Sequence, residues 1–558
     1  MLCGFNEAQT VKPLGGCCDS DRNSNMTDLR GVYAYHALSK HRPQHYAPGP
    51  GHLDWASQPA PFRRYAGAAL VELPHRPLEQ SPSYEAVFAA PLGEPAPLNL
   101  VSLGQLLYDS LALSAWKEAG GNRWALRVNP SSGNLHPTEA YLLLPPGVAG
   151  ESGLLAHYAP DEHALEIRSE LPSALGEALA GALPAGGFLL GLSSIAWREA
   201  WKYGERAYRY CQHDLGHAQA ALAIAASALG WQVRLLHGVA EARLDAVLGL
   251  DQAGFAEHEQ ADCLLWIGPP QHAEPRLCEA LLAGLSALPR LGLPNRLSAE
   301  QRHWPELERA QALCRAPQLP SGSWVVAAGQ APVEEPELLL RPLLHRRRSA
   351  QSMDGRSGIR RELLDSWLAR LLPGHSPVPL ALSGDTPRVD LLLFVHRVEG
   401  LTPGLYWLDR TGSGPQALRA DFLWQPVSTE VPLYRLLEGD ARGVAQFLSC
   451  GQDIAADGCL AVAMLAHFDD ALANGSWAYP RLYWECGQIG QLLYLEAEAA
   501  GLSGTGIGCY FDDAVHELLG IADSRLQSLY HFTLGRAVWD LRLSSQPAYP
   551  TLRRPGQA

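Results

Sequence analysis

Apolar runs alternate with glycine- and proline-rich turns along this chain, and their spacing separates two kinds of element. Residues 139–167 and 388–409 each contain a continuous apolar strand, a Gly/Pro turn and a second strand, which predicts a hairpin. Residues 210–231 and 484–502 are rich in Ala and Leu, have helical spacing and end in Leu-Gly or Ala-Gly, a common helix C-terminus. The pattern therefore predicts an α+β fold.

The longest apolar stretch, residues 179–197, is interrupted by Pro184 and a glycine pair. A membrane-spanning helix needs about 20 predominantly apolar residues in succession. The interruptions instead predict the end of a helix followed by a buried strand, so we expect no membrane association.

The two long helices are related by a constant offset in sequence. Gly230 and Gly501 differ by 271 positions, and the same offset pairs Gly216 with Gly487. Similarity at a fixed offset indicates a duplication. Two copies of a once dimeric domain would pack across a pseudo-two-fold axis through these helices, and a shared functional site would straddle that interface.

Composition divides the chain into four segments. Residues 1–25 show neither apolar period, which predicts disorder or an extension outside the native protein, with Met26 as the alternative start. The expected segments after it are residues 26–268 (N-terminal domain), 269–340 (Pro-rich connector, partly helical around 306–314) and 341–558 (C-terminal domain).

Charge and cysteine content narrow the classes of function. The 558 residues are 47% apolar and carry 44 Lys+Arg against 58 Asp+Glu, a formal charge of -14. This balance argues against a nucleic-acid or anionic-membrane binder, so any anion must be held by a local arginine cluster. Eleven scattered cysteines and no expected signal peptide predict a reducing cytoplasm.

The two halves have lost different polar elements. The N-terminal half contains the small polar turn PSSGN (130–134), whereas the C-terminal half has LALSGDTP (380–387), with Asp385 where Asn134 would fall. Conversely, only the C-terminal half has the arginine-rich HRRRSAQSMD (345–354), whose arginines and serine suit a phosphate dianion.

The glycine-rich segment shows the same asymmetry. GTGIGC (504–509) lets backbone amides approach a ligand, whereas the equivalent N-terminal VRLLHG (233–238) does not. Arg536 likewise corresponds to Pro269. Complementary losses of this kind predict one surviving composite site, built from the arginines, glycine segment and Arg536 of one half and the PSSGN turn of the other.

At these residues the chain resembles the nitroreductase-like FMN flavoproteins, and among them the azoline (thiazoline/oxazoline) dehydrogenases. The resemblance rests on RRS, PSSGN, GTGIGCYFDD and FTLGR, and covers roughly residues 60–268 and 345–540. It implies two tandem domains, each with a mixed or antiparallel sheet flanked by helices, that form an intramolecular pseudo-dimer. It also implies FMN at the interface between them.

The resemblance further implies roles for individual residues. Lys202 and Tyr203, in WKYGERAYRY (201–210), correspond to a catalytic Lys-Tyr pair of the azoline dehydrogenases, and Gln351 replaces a residue that is often basic. The implied cofactor-binding residues are Pro130, Ser131, Ser132, Gly133, Asn134, Arg347, Arg348, Ser349, Gln351, Gly504, Gly506, Ile507, Gly508, Cys509 and Arg536.

Three functions remain open from the sequence. The first is dehydrogenation of an azoline-type heterocycle in a small molecule or modified peptide, for which Lys202 or Tyr203 moves a proton while hydride goes to the flavin. The second is an NAD(P)H-dependent nitro, quinone or enone reductase, and the third is a non-catalytic flavin-binding scaffold. Fusion of the two halves permits a monomer.

Plainer interpretations compete with several of these assignments. PSSGN alone is typical of an ordinary turn, and Arg346 of a solvated charge. His213 and His217 have the spacing of a metal pair, but no third ligand accompanies them, so helix packing is the better interpretation and no metal is expected. Cys509 is either a nucleophile or a small residue in a crowded turn.

Overall fold

The computed structural model describes residues 19–88, 94–272, 274–320, 338–374, 378–414 and 418–549. Its helices are α1 Asp19–Leu38, α2 Leu100–Tyr108, α3 Ser173–Ala182, α4 Ala196–Tyr203, α5 Ala207–Ser227, α6 Glu241–Leu248, α7 Glu279–Ser286, α8 Pro305–Leu313, α9 Leu340–Arg346, α10 Arg361–Arg370, α11 Arg442–Leu448, α12 Ile454–Asp457, α13 Phe468–Leu472, α14 Ala478–Ala499 and α15 Asp512–Leu519.

The strands are β1 Tyr65–Ala66, β2 Leu70–Glu72, β3 Leu113–Ala119, β4 Asn122–Arg127, β5 Thr138–Leu144, β6 Leu154–Ala159, β7 Ala164–Glu170, β8 Phe188–Ser194, β9 Gln232–Leu235, β10 Gln260–Gly268, β11 Leu293–Pro294, β12 Val389–Val395, β13 Gly404–Leu408, β14 Gln425–Pro426, β15 Leu433–Glu438, β16 Leu460–His467, β17 Ser503–Ile507, β18 Leu526–Gly535 and β19 Ser544–Gln546.

Two seven-stranded antiparallel sheets have equivalent strand orders. The first is β2-β7-β6-β5-β8-β10-β9 and the second is β14-β15-β13-β12-β16-β18-β17. Central strands β5 and β12 are buried along their whole length, as their unbroken apolar runs predict, because helices cover both faces. The predicted α+β duplication is confirmed. The helix-then-strand interpretation of residues 179–197 is also confirmed, by α3 and β8.

Helices α5 and α14 cross at the paired glycines. A Cβ atom on Gly487 would lie 2.9 Å from the Cα of Gly216, and one on Gly216 would lie 2.8 Å from the Cα of Trp484. Beside this crossing, Gln488 Nε2 donates to Gln219 Oε1 at 2.9 Å. The backbones approach this closely because neither position carries a side chain. The predicted pseudo-two-fold interface therefore runs through these helices.

A buried ion cluster fixes the register between the halves. Arg206 and Arg209, at the start of α5, donate to the carboxylate of Asp512, at the start of α15, at 3.0 and 2.6 Å. The same carboxylate accepts the backbone N–H of His41 at 2.9 Å. Although burial opposes its ionisation, the two guanidinium groups hold the pKa of Asp512 well below its usual range.

Both ends of the described chain cross to the opposite half. Helix α1 packs on the C-terminal half, where Tyr33 donates to Asp469 Oδ1 at 2.6 Å. It begins at Asp19, so the predicted disorder of residues 1–25 is wrong for residues 19–25, and residues 1–18 lie outside the described residues. At the other end, β19 pairs with β3.

The predicted connector contains regular structure within its described part. Helix α8 confirms the expected helix near residues 306–314, and α7 precedes it. Strand β11 pairs with β1, so this segment folds back on the N-terminal half. Residues 273 and 321–337 of the connector lie outside the described residues.

Gly487→Ala should destabilise the protein by roughly 1–3 kcal/mol, because the new methyl group would press on the α5 backbone. The steric cost of the methyl group is partly offset by the roughly 1 kcal/mol by which alanine stabilises a helix relative to glycine. Gly443→Ala is the matched control, since Gly443 lies in α11 with open space around its Cα. Thermal unfolding should show a lower Tm for the first variant only; equal shifts would contradict the crossing.

Candidate active site

The PSSGN turn and the arginine-rich segment line one cleft, although they are separated by more than 200 residues in sequence. The cleft has a volume of about 250 Å³. It is lined by residues of β3–β4, the turn, the arginine segment and the chain after β18, which are Lys117, Trp124, Leu126, Arg127, Asn129, Pro130, Ser131, Asn134, His136, Arg347, Arg348, Ser349, Ala350, Gln351, Val538, Trp539, Asp540 and Leu543.

The PSSGN turn owes its shape to left-handed backbone and to one buried carboxylate. Gly133 and Asn134 have φ values of 59° and 60°. Asp214 of α5 accepts both the backbone N–H and the hydroxyl of Ser132 at 2.9 Å. Asn134 Nδ2 donates to the Ala125 carbonyl at 2.9 Å. Asp214 therefore ties the turn to the interface helix. Burial raises its pKa to about 7, although the serine contacts oppose the rise.

Positive charge faces the cleft from the arginine segment. Arg347 is buried, its guanidinium lies 4.9 Å from the centre of the Tyr494 ring, and its Nη1 has no hydrogen-bond partner among the described residues. Arg348 donates to the carbonyls of His345 and Arg347, and burial together with Arg347 lowers its pKa to about 10. Lys117 lies across the cleft, and its pKa is lowered by burial and by Arg348.

This donor set fits the phosphate of a flavin mononucleotide. A bound dianion would accept a hydrogen bond from the unpartnered guanidinium nitrogen. It would also offset the repulsion between the neighbouring cations, which otherwise disfavours their charged forms. Arg346, by contrast, is exposed and pairs with Glu498, as expected for a solvated charge. Arg536 is also exposed, donates to Ser357 Oγ at 3.1 Å and does not line the cleft; its phosphate role stays a prediction.

The glycine-rich segment is an edge strand, not the loop that the sequence predicted. Residues 503–507 form β17 and pair with β18, and the chain leaves the sheet at Gly508. Glycine is required because a Cβ on Gly506 would overlap the Tyr530 hydroxyl. Tyr494 of α14 joins this strand to the arginine segment: its hydroxyl accepts the Gly506 N–H at 3.0 Å and lies 2.8 Å from Ser349 Oγ.

Lys202 and Tyr203 lie at the end of α4, between the turn and the glycine segment. A Cβ on Gly133 would be 2.6 Å from Tyr203 Oη and 3.3 Å from Lys202 Nζ. The Tyr203 ring packs at 4.4 Å on Tyr210, whose hydroxyl donates to the Gly508 carbonyl at 3.0 Å. Parts of both halves therefore surround the pair. Burial and nearby acidic groups raise the pKa of Tyr203, so its phenol stays protonated.

A second buried carboxyl, Glu199, lies one turn before Lys202 on α4. It is fully buried and neither oxygen has a hydrogen-bond partner among the described residues. Burial, reinforced by Asp214, raises its pKa well above the usual value, whereas Lys202 opposes the rise. The sequence reasoning missed both Glu199 and Asp214. No local pattern indicated either residue, because α4 also carries Arg198 and Lys202, and α5 carries several other polar residues near Asp214.

The pseudo-symmetric position keeps a cavity of about 480 Å³, lined by the LALSGDTP turn and by Glu485. There the LALSGDTP turn bonds directly to the β9 segment: Leu235 N–H donates to the Leu382 carbonyl at 2.9 Å, and Arg234 Nη1 donates to the Ala381 carbonyl at 2.8 Å. Glu485, the counterpart of Asp214 at the offset of 271, accepts the Arg388 N–H instead of a serine. The LALSGDTP turn is thus held by β9, and a cavity without the arginine segment remains beside it.

His213 and His217 have packing roles on α5. His213 Nε2 lies 3.0 Å from the Leu529 carbonyl, and its ring stacks on Tyr530 at 4.1 Å. His217 contacts Gln491 Oε1 and the Tyr530 hydroxyl, both at 3.2 Å. Burial lowers the pKa of both imidazoles, so they are neutral. Within the described ranges, no three potential metal-ligating side chains converge.

Fold and cleft together define a tandem α+β protein with an anion-fitting site at its internal interface. The model of the nitroreductase family matches residues 118–268 and 412–536, so each half carries a nitroreductase-family domain. Members of this family are oxidoreductases that generally bind FMN. Among the described helices, none has the length and apolar character needed to cross a membrane.

Individual relatives agree with this assignment to different extents. A crystal structure from Anabaena variabilis assigned as a nitroreductase covers 91% of this chain and 99% of its own, with a TM-score of 0.64 and 22% identity. The trifolitoxin-processing protein TfxB of Rhizobium leguminosarum bv. trifolii is 35% identical over 131 residues, which are 22% of this chain and 35% of TfxB. The E. coli microcin synthetase McbBCD complex, bound to truncated pro-MccB17, covers 35% of this chain and 70% of its own, at 16% identity and a TM-score of 0.28.

Asp214→Asn should remove a pH-dependent loss of stability. A folded pKa of about 7 lies above the ordinary 3.8, so ionising the buried carboxyl opposes folding, and wild-type stability falls as pH rises from about 4 to about 7. Each pKa unit corresponds to about 1.4 kcal/mol. The difference in Tm between variant and wild type should therefore grow in the variant's favour from pH 4 to pH 8. A difference independent of pH would contradict the buried ionisation.

Proposed function

We propose that the protein is an FMN-dependent oxidoreductase with one flavin per chain, held in the composite cleft. The observation that carries this proposal is buried Arg347, which lines a cleft shared with Ser131 and Asn134 of the opposite half and whose Nη1 has no hydrogen-bond partner among the described residues. The family assignment supplies the cofactor class. The proposal includes a single site because the cavity at the pseudo-symmetric position is lined, among the described residues, by no counterpart of the arginine segment, and its LALSGDTP turn is bonded to β9.

Each part of the cleft then has a defined task. Arg347, Arg348 and Ser349 bind the phosphate, Arg536 completes the phosphate group of ligands, and the PSSGN turn contacts the flavin from the other half. Backbone groups from Gly504 to Cys509 lie toward the reactive edge, with Gln351 beside the phosphate. The Arg347 guanidinium supports the phosphate assignment, because its Nη1 has no hydrogen-bond partner among the described residues.

The favoured reaction is dehydrogenation of an azoline ring to an azole. When bound, FMN accepts a hydride from such a ring. The chain must remove the accompanying ring proton, and we assign this step to the side chain of Lys202. The protonated phenol of Tyr203 donates a hydrogen bond and orients the substrate, which agrees with its raised pKa. The contacts of both side chains with the Gly133 turn support this arrangement.

A modified peptide is the proposed substrate class. The similarity to TfxB, which is described as processing trifolitoxin, supports a peptide over a free metabolite, although the match spans only about a third of TfxB. The proposal further includes a monomeric, cytoplasmic protein, since the internal interface replaces the one between two subunits. No pyridine nucleotide is required for the dehydrogenase.

Flavin content tests the composite site. Purified protein should contain one FMN per chain, and Arg347→Gln and Asn134→Ala should each weaken FMN binding, by about ten-fold or more for the charged contact. Arg346→Gln is the matched control because Arg346 is exposed and pairs with Glu498. Fluorescence titration of refilled apoprotein measures each Kd. Two flavins per chain, or loss on only one side of the interface, would refute a shared site.

Anaerobic half-reactions separate the candidate activities. A thiazoline-containing peptide should bleach the bound flavin, and Lys202→Met should slow bleaching by 100-fold or more, in keeping with general base catalysis. Tyr203→Phe should have a smaller effect. Rapid bleaching by NAD(P)H with indifference to the peptide would assign the reductase instead. If neither reagent reduces the flavin, the result would favour the non-catalytic flavin-binding scaffold.

A further inference from the structure

Two half-buried cysteines meet where the C-terminal sheet approaches the interface. Cys450 follows α11 and Cys509 follows β17, and both are free thiols. Two hydrogen bonds hold these segments together: the Phe511 N–H donates to the Leu448 carbonyl at 2.8 Å, and Gln452 Nε2 donates to the Cys509 carbonyl at 3.0 Å. The two cysteines are therefore neighbours because the fold joins their backbones.

Cys450 adopts an unusual backbone conformation. Its φ is 56°, in the left-handed region that non-glycine residues rarely occupy. Such a conformation costs on the order of 1 kcal/mol or more, and in proteins it concentrates at functional sites. Here it lies in the segment that is joined to the Cys509 segment by the Leu448–Phe511 and Gln452–Cys509 hydrogen bonds.

Basic and polar groups surround the thiol pair. His41 Nδ1 accepts the Ala47 N–H at 2.9 Å, and His41 is one of the groups that lower the pKa of Cys509. Arg206 donates to the carbonyl of Gly508, immediately before Cys509, at 3.1 Å. On the other side, burial and then the nearby Cys450 and Cys509 raise the pKa of Tyr46. The acidic side chain nearest in sequence, Asp512, is already neutralised by Arg206 and Arg209.

The two thiols are chemically unequal. Cys450, then His41 and Arg206, lower the pKa of Cys509, and only burial opposes them. The hydrogen bond to Cys509 and burial raise the pKa of Cys450. One member of the pair is thus ready to attack as a thiolate while the other remains a thiol, which is the division of labour seen in disulfide-exchanging pairs.

We propose that Cys450 and Cys509 form a redox-active dithiol, in which Cys509 attacks low-molecular-weight disulfides and Cys450 resolves the adduct into an internal disulfide. The Cys509 thiolate displaces one thiolate from the disulfide and forms a mixed disulfide. Cys450 then loses its proton, attacks Cys509 Sγ and releases the second thiolate. The dithiol loses two electrons, the small disulfide gains them, and no flavin takes part.

This assignment goes beyond the flavin chemistry of the neighbouring cleft. The exposed Cys278, which follows β10 on the N-terminal half, provides an internal reference thiol because no partner cysteine is hydrogen-bonded to it in the described structure. The other described cysteines, at positions 211, 263, 314, 459 and 486, are buried. Reaction at the pair can therefore be distinguished from reaction at a merely accessible thiol.

The test is brief exposure of the folded, full-length protein to oxidised glutathione at pH 6, followed by intact mass and peptide mapping. Cys509 should react about ten-fold or more faster than Cys278, since a larger thiolate fraction outweighs its lower intrinsic nucleophilicity. The wild-type pair should lose two hydrogen atoms without keeping an adduct. Cys450→Ser should trap one glutathione on Cys509, and Cys509→Ser should leave Cys450 unreactive.

Two outcomes would overturn the proposal. One is a stable glutathione adduct on Cys509 in the wild type, which would mean that Cys450 does not resolve it. The other is a reaction at Cys509 no faster than at Cys278. Circular dichroism of both serine variants confirms that each is folded, and repeating the experiment on flavin-free protein separates this result from that of the proposed oxidoreductase.

Discussion

The side-chain-free crossing of α5 and α14 is the constraint on which the rest of the molecule depends. With glycine at 216 and 487, the helix backbones touch, and each helix carries one part of the cleft toward the other half. Asp214, two residues before the crossing, holds the PSSGN turn, whereas Tyr494, two turns after it, holds Ser349 and Gly506. A wider crossing would separate these two anchors and open the cleft.

The asymmetry of function arises within a nearly symmetric scaffold. Both sheets keep the same strand order and both long helices keep their glycine, because these features maintain the interface itself. The turns and edge strands do not maintain the interface, so those of the second site can change once one site is enough for function. On one side Asp214 binds serine donors; on the other, Glu485 binds Arg410 and the backbone of residue 388, and the turn bonds to β9. Duplication conserved the frame and allowed the second site to change its turn and its donors.

Much of this organisation follows from sequence periodicity. The strands, the long helices and the offset of 271 depend on local spacing, so the α+β duplication and its interface could be predicted. The meeting of PSSGN with the arginine segment followed from the pattern of losses. Other features depend on tertiary packing: β17 reads as a flexible glycine loop in sequence, but the aromatic side chains of β18 require glycine there.

The remaining misses have related physical causes. Asp214 and Glu199 take their properties from burial among neighbours on different elements, which no local pattern records. Helix α1 extends to Asp19 through polar residues, so the apolar period that would mark its start is missing. For Arg536, the sequence identifies a cation, but its direction is set by a contact with Ser357.

One part of the cleft lining combines segments that are distant along the chain. Strands β3 and β4 contribute Lys117, Trp124 and Leu126, and the segment from Val538 to Leu543 leads into β19, which pairs with β3. During synthesis, the N-terminal sheet and turn are complete hundreds of residues before this last strand leaves the ribosome. The cleft therefore has its complete lining only after Gln546 has been synthesised. We expect its ligand to bind at that late stage, not during growth of the nascent chain.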